Sequence, residues 1–186
     1  MTDEVEILCR KACNGEHAAA SDLVRMFYAR IFAYLRRFCG NDDDAADLTQ
    51  KTFGKAWSSL NSFQHRSSFS TWLHGIAHHV YVDWRRKPNR NEDRSEAWWE
   101  AREAESATPF EDTAQKDMAH QLYYWVDQLE EEQRQAVHLH YYQGLSLNET
   151  AEVLGIATST LKYRLKGALE FLRSKTAEPI RHQEQL

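Results

Sequence analysis

When the stretch "TSTLKYRLKGALEFLRSK" is wound at 100° per residue, Ser159, Tyr163 and Lys166 share one side, with Lys162 and Arg164 flanking it and Thr160 at its start. Hydroxyls, a phenol ring and three cations on one helical face can bond to base edges and pair with phosphates. Leu161, Leu165, Leu169 and Leu172 fall opposite, which predicts that the other face is buried. Phe63 stands in the polar loop "NSFQHRSS", off any apolar stripe, where an aromatic ring can stack on an unpaired base. Other reactive groups assemble less well. Cys9, Cys13 and His17 recur at four-residue intervals, but Asn14–Gly15 interrupts the helix before His17, and a structural zinc site usually takes four ligands. No Ser/His/Asp or paired-carboxylate arrangement can be argued. The expectation is a protein that binds rather than catalyses, with no metal, cofactor or small-molecule substrate.

The elements that would carry these groups are helices. Helix formers dominate, only 7 Gly and 3 Pro occur, and strand-like alternation is hard to find, so the predicted fold class is all-α. Leu23, Phe27, Ile31, Tyr34, Leu35 and Phe38 follow one helical stripe, Leu48, Phe53, Trp57 and Leu60 a second, and Leu73, Ile76, Val80 and Trp84 a third. Trp57, Trp72 and Trp84 are read as core residues on this ground. The acids Asp42 to Asp44 suit a helix start. Around the corner at Gly155, Ser146 and Glu149 have the spacing of a capping box. Ala151 and Gly155 suit the close approach and left-handed turn of a helix-turn-helix, and Thr158 or Ser159 can cap the helix that follows.

The charge is uneven. The chain of 186 residues carries a formal net charge of −5, and the segment from Pro88 to Asp117 alone holds nine acids against four bases. Bases gather on either side, in "DWRRKPNR" and "LKYRLK". Local charge decides what a surface attracts, so a nucleic-acid partner is compatible with the acidic total. Two small helical domains, residues 1–88 and 114–177, are expected on an acidic flexible linker, 89–113, with a tail at 178–186. The N-terminal "MTDEVEILCRKACNGE" has no apolar signal core and no run reaches membrane-span length, so the expected location is the cytoplasm without membrane insertion. Three cysteines cannot all pair, which fits a reducing compartment.

Taken together, these segments resemble the sigma-70 family of RNA polymerase sigma factors, most closely its extracytoplasmic-function (ECF) group. "DLTQKTFGKAW" resembles the polymerase-binding helix, "SLNSFQHRSSFSTWLHGIAHHVYVDWRRK" the segment that melts and reads the −10 element, and "LEEEQRQAVHLHYYQGLSLNETAEVLGIATSTLKYRLKGALEFLR" the domain that reads the −35 element. The resemblance implies a transcription initiation factor whose partners are core RNA polymerase, promoter DNA and an anti-sigma factor. It implies polymerase contact through Asp47, Gln50 and Lys51, and −10 contact through Phe63, His78, His79, Arg85 and Arg86. It implies −35 contact through Ser159, Thr160, Lys162, Tyr163, Arg164 and Lys166. His79 stands where Asn is common, His78 where a base is common, Lys51 where an acid is common, and Gly167 where a larger residue is usual. The alternative from the corner alone is a stand-alone helix-turn-helix regulator, which would need neither "DLTQKTFGKAW" nor "STWLHGIAHH".

Overall fold

A computed structural model describes residues 2–39, 41–86 and 121–177, and these form helices with no strand among them. The expected linker, 89–113, with its Trp98–Trp99 pair, and the tail lie outside the described residues. Four helices make the first unit: α1 (Thr2–Cys13), α2 (His17–Arg36), α3 (Asp42–Ser59) and α4 (Phe69–Arg85), with a 3-10 turn at Leu60–Ser62. The second unit has helical residues 121–127, then α5 (Glu131–Val137), α6 (Leu147–Leu154) and α7 (Thr158–Ala177).

Local chemistry sets the helix ends. Gly15 stops α1 at φ +88. Asn41 accepts the Asp44 N–H at 2.7 Å to cap α3, whose first turn is Asp42, Asp43 and Asp44. Ser68 caps α4 by accepting the Thr71 N–H at 3.1 Å. Ser146 and Glu149 form the reciprocal capping box of α6. Gly155, at φ 64 and ψ 34, ends α6 in the left-handed conformation that glycine adopts without steric cost.

Between α5 and α6 the chain makes a π turn, His138–Tyr142, where the Gln143 N–H reaches back five residues to His138 O at 2.9 Å. The turn divides one helical run between two cores. Ala136 and Val137 pack with Val126, Leu129, Ala151, Leu161, Leu165 and Ala168 inside the second unit. Leu139, just beyond, joins the core of the first unit. That larger core takes Leu23, Phe27, Ile31, Tyr34 and Leu35 from α2, Leu48 from α3, and Leu73, Val80 and Tyr81 from α4. Leu145 and Val153 of the second unit join it too, and α6 packs directly on α4.

Two expectations about packing are corrected. Trp57 is 41% exposed, because α3 turns that position toward solvent, while Trp72 and Trp84 pack partly buried against the core. On α7 the buried stripe is Leu161, Leu165 and Ala168, with Leu172 packed against it; half-buried Leu169 instead lines a surface groove.

Candidate nucleic-acid interface

The outward side of α7 is open. Tyr163 is 79% exposed, and Ser159, Thr160, Lys162 and Lys166 are exposed with it. Burial of Leu161 and Leu165 fixes which way this side faces. The corner at Gly155 fixes its angle, through Gly155 N–H to Glu152 O at 3.2 Å and Ile156 N–H to Ala151 O at 3.0 Å. Neither Thr158 nor Ser159 stands before the helix. α7 begins at Thr158, whose hydroxyl donates to Asn148 Oδ1 at 3.3 Å and ties the two helices of the corner together. Arg164 is largely covered and paired with Glu132 at 2.6 Å, so it braces α7 against α5 as much as it faces outward. Lys166 lies 3.8 Å from Glu170. Beside this face runs a groove of about 330 Å³ between Tyr141, Leu147, Lys162, Lys166, Leu169 and Arg173.

Gly167 has a packing reason. A Cβ there would stand 2.8 Å from Gln133 Nε2, so the bare backbone admits the α5 side chain against α7.

In the first unit, a cleft of about 800 Å³ separates α3 from α4. It brings Lys51, from the predicted polymerase helix, and His79, from the predicted −10 segment, to one opening, with Lys55 and Asp83 3.4 Å apart across it. Asp47 and Lys51 pair one helical turn apart, and Asp47 and Gln50 are exposed. His79 is exposed and its Nδ1–H donates to Gly75 O at 2.7 Å, which leaves Nε2 to meet a ligand.

His78, one residue away, differs. It is half-buried with Nδ1 3.3 Å from the Tyr34 hydroxyl, and burial, with His79 beside it, pushes its pKa down to about 4. It is therefore neutral at pH 7 and carries no charge for a phosphate. Arg85 and Arg86 are both exposed, and Arg85 is paired with Glu131 of the second unit.

Phe63 is half-buried at the end of the 3-10 turn, its ring centroid 4.9 Å from Trp72, 5.9 Å from Phe69 and 4.5 Å from His65. His65 holds a left-handed φ of 54, which folds the loop back over the ring. The ring is pre-positioned by aromatic packing rather than loose in solvent.

Sequence reasoning missed the residues that join the units: Arg37, Asp127, Glu131 and Gln143. Glu149 was recognised only as a cap; its hydrogen bonds to α4 have no local signature.

Residues 23–91 match the family model for sigma-70 region 2, and residues 120–172 match that for sigma-70 region 4. The chain is 32% identical over 165 residues to the RNA polymerase sigma factor YlaC of Bacillus subtilis, covering 83% of this chain and 91% of that one. It is 28% identical over 169 residues to the ECF RNA polymerase sigma factor SigW of the same organism, covering 87% and 90%. Among solved structures, CnrH in complex with the cytosolic domain of CnrY shares the fold, with a TM-score of 0.68 at 23% identity over 93% of this chain and 97% of that one. Sigma factor RpoE from Bartonella quintana, in complex with the anti-sigma factor NepR, gives a TM-score of 0.64 at 21% identity over 86% and 98%.

Proposed function

The chain belongs to the sigma-70 family, in its ECF group, and from that premise we propose how its residues direct core RNA polymerase to promoters. The work is binding rather than bond-making. Exposed Ser159, Thr160 and Tyr163 on α7 meet base edges of the −35 element, while Lys162, Lys166 and Arg164 meet phosphates. Asp47, Gln50 and Lys51 on α3 contact core polymerase. Phe63 and His79 hold −10 bases as the strands part, with Arg85 and Arg86 on the backbone and His78 supporting α4 from inside. We propose residues 1–88 as the unit for polymerase and the −10 element, and 114–177 as the unit for the −35 element.

The observation that carries this reading is the division of α7. Leu161 is fully buried and Tyr163, two residues on, is the most exposed large hydrophobic residue among the described residues. A helix so oriented after a left-handed glycine presents a reading face that its own fold does not use.

Kinship with the ECF factors supports action in the cytoplasm; among the described residues no helix is long and apolar enough to cross a membrane. An anti-sigma factor is a partner of matching kind, since the Bartonella quintana neighbour was solved with one. The test is run-off transcription from a genomic promoter library with bacterial core polymerase. Initiation only when core and this protein are both present supports the reading. Tight duplex binding without core, and no core-dependent transcript, overturns it.

A further inference from the structure

The cleft between α3 and α4 has a one-sided hydrogen-bonding character. Its floor is Leu48, Ile76, Val80 and the Trp84 ring, an apolar bed on which the flat face of a base can lie. Its polar groups differ in what they have left to offer. The Ser58 hydroxyl donates to Gly54 O at 3.0 Å and the Ser59 hydroxyl to Lys55 O at 2.7 Å. Trp84 Nε1–H donates to Asp44 Oδ1 at 3.3 Å. His79 Nδ1–H is held by Gly75 O, so the neutral ring presents Nε2 as an acceptor. Among the described lining residues, each uncharged side-chain donor is thus committed within the protein. What remain for a ligand are acceptors and two lysines: Lys51, paired with Asp47 on its own helix, and Lys55.

Asp83 is the charged acceptor of this set. It is exposed on α4 and lines the cleft one helical turn after His79, a spacing that puts the two side chains on one face about 5–6 Å apart at Cβ. Its carboxylate lies 3.4 Å from the Lys55 ammonium on the opposite wall, with 57% of the lysine and 60% of the aspartate side chain exposed. An ion pair this open to water is weak and readily exchanged.

We propose that Asp83, beside His79, is a specificity-determining residue for the −10 element: the two acceptors take the amine-bearing edge of an unpaired base lying in the α3–α4 cleft and reject thymine there. Adenine and cytosine carry an exocyclic amine on that edge, and guanine sets an amine beside a ring N–H. Thymine offers two carbonyls around a single N–H. A carbonyl set against a carboxylate leaves two acceptors opposed, which costs more than one missing hydrogen bond. In closed duplex the partner base covers this edge, so the reading takes place once the base leaves the stack. Asp83 then exchanges Lys55 for the base amine, and the released ammonium stands beside the phosphates of the same strand. This role for Asp83 rests on the sigma-factor reading above and adds which bases the site accepts.

The test is capture of a forked promoter, its −10 non-template strand unpaired, by the full chain assembled with core polymerase. Each amine-bearing base of that strand is replaced in turn by its deaminated counterpart, uracil, hypoxanthine or xanthine, which turns the amine into a carbonyl and keeps the ring. Wild type should lose roughly ten-fold in affinity at one position. Asp83→Asn should erase that loss, because an amide can turn either its oxygen or its nitrogen to the base. Lys55→Gln should retain it. If Asp83 served only to tie α4 to α3, removing either partner would have the same effect. Circular dichroism checks that both variants, altered at exposed positions, are folded. Deamination tolerated by wild type at every position, discrimination that survives Asp83→Asn, or discrimination lost equally in Lys55→Gln overturns the assignment. Absence of core-dependent fork capture by any form overturns the sigma-factor reading, and this role with it.

Discussion

Truncating Leu161 and Tyr163 separately should give opposite results, although they are two residues apart on α7. Leu161 is fully buried among Val126, Leu129, Ala136, Val137, Ala151, Leu165 and Ala168. Leu→Ala in a core costs about 2–5 kcal/mol, more where the gap persists. Three of these neighbours are alanines, with no side chain to swing into the space, so the cost should be about 3–4 kcal/mol. The second unit has 57 described residues, 121–177, for which ordinary stability is about 3–9 kcal/mol. Leu161→Ala therefore removes a large share of it. Tyr163, at 79% exposed, lacks such neighbours, and Ala is the better helix former by about 0.5 kcal/mol, so Tyr163→Ala should leave stability unchanged or slightly raised. Urea titration followed by circular dichroism measures both, and transcription across −35 variants measures promoter choice. Tyr163→Ala should alter which sequences are used while remaining folded. A loss above about 1 kcal/mol for Tyr163→Ala, or below that for Leu161→Ala, would refute the assignment of the two faces.

Gly167→Ala should be neutral or stabilising by up to about 1 kcal/mol, because helix propensity favours Ala and the obstructing atom is the mobile end of Gln133; a thermal melt shifted clearly downward would show that Gln133 cannot move. Glu149, half-buried, has its pKa held down to about 2, chiefly by the Thr71 hydroxyl and further by Ser146 and Ser68, against the opposing effect of burial. A carboxylate depressed on folding adds stability above its ordinary pKa of about 4.5 and loses it as pH falls toward 2, an effect reduced here by solvent screening to about 1–2 kcal/mol. Urea midpoints at pH 7 and pH 3 should thus differ more in wild type than in Glu149→Gln, and equal differences would discount the hydrogen bonds. Phe63→Ala should leave closed-complex binding nearly intact but reduce permanganate-detected melting, as stacking on a base is worth about 1–3 kcal/mol; undiminished melting at limiting promoter would argue against base contact. Lys162→Ala should weaken binding across sequences and lower the salt slope by about 1, which filter binding of the holoenzyme at several salt concentrations will read.

What the sequence made legible was what neighbours along the chain decide. The capping box at Ser146 and Glu149, the acidic start at Asp42 and the left-handed corner at Gly155 each depend on groups within four residues, and each stands as read. The outward placement of Ser159, Tyr163 and Lys166 follows from a leucine stripe on the same helix. Wheel geometry failed where another element intervened. It put Arg164 beside the reading face without showing that Glu132, a helix away, pairs with it. It placed Trp57 inside, though nothing from α2 or α4 covers that turn of α3 fully. His78 offered a ring at a position commonly basic, and only its burial beneath α2, with His79 beside it, shows why it is uncharged. Arg37 and Asp127, 90 positions apart, leave no trace in any local pattern.

The π turn at His138–Tyr142 has a consequence for how such chains diverge. A π turn is an α-helix carrying one residue more than its ladder requires. Losing that residue would leave a sound helix with its local bonds intact, yet turn everything beyond it by about 100°. Leu139 and Leu145 would then leave the first unit's core, while Ala136 and Val137 kept their places in the second. A single-codon deletion here is a hinge mutation that no substitution score would flag. Among descendants of this gene, length at this bend should be inherited more strictly than the identity of the residues that fill it.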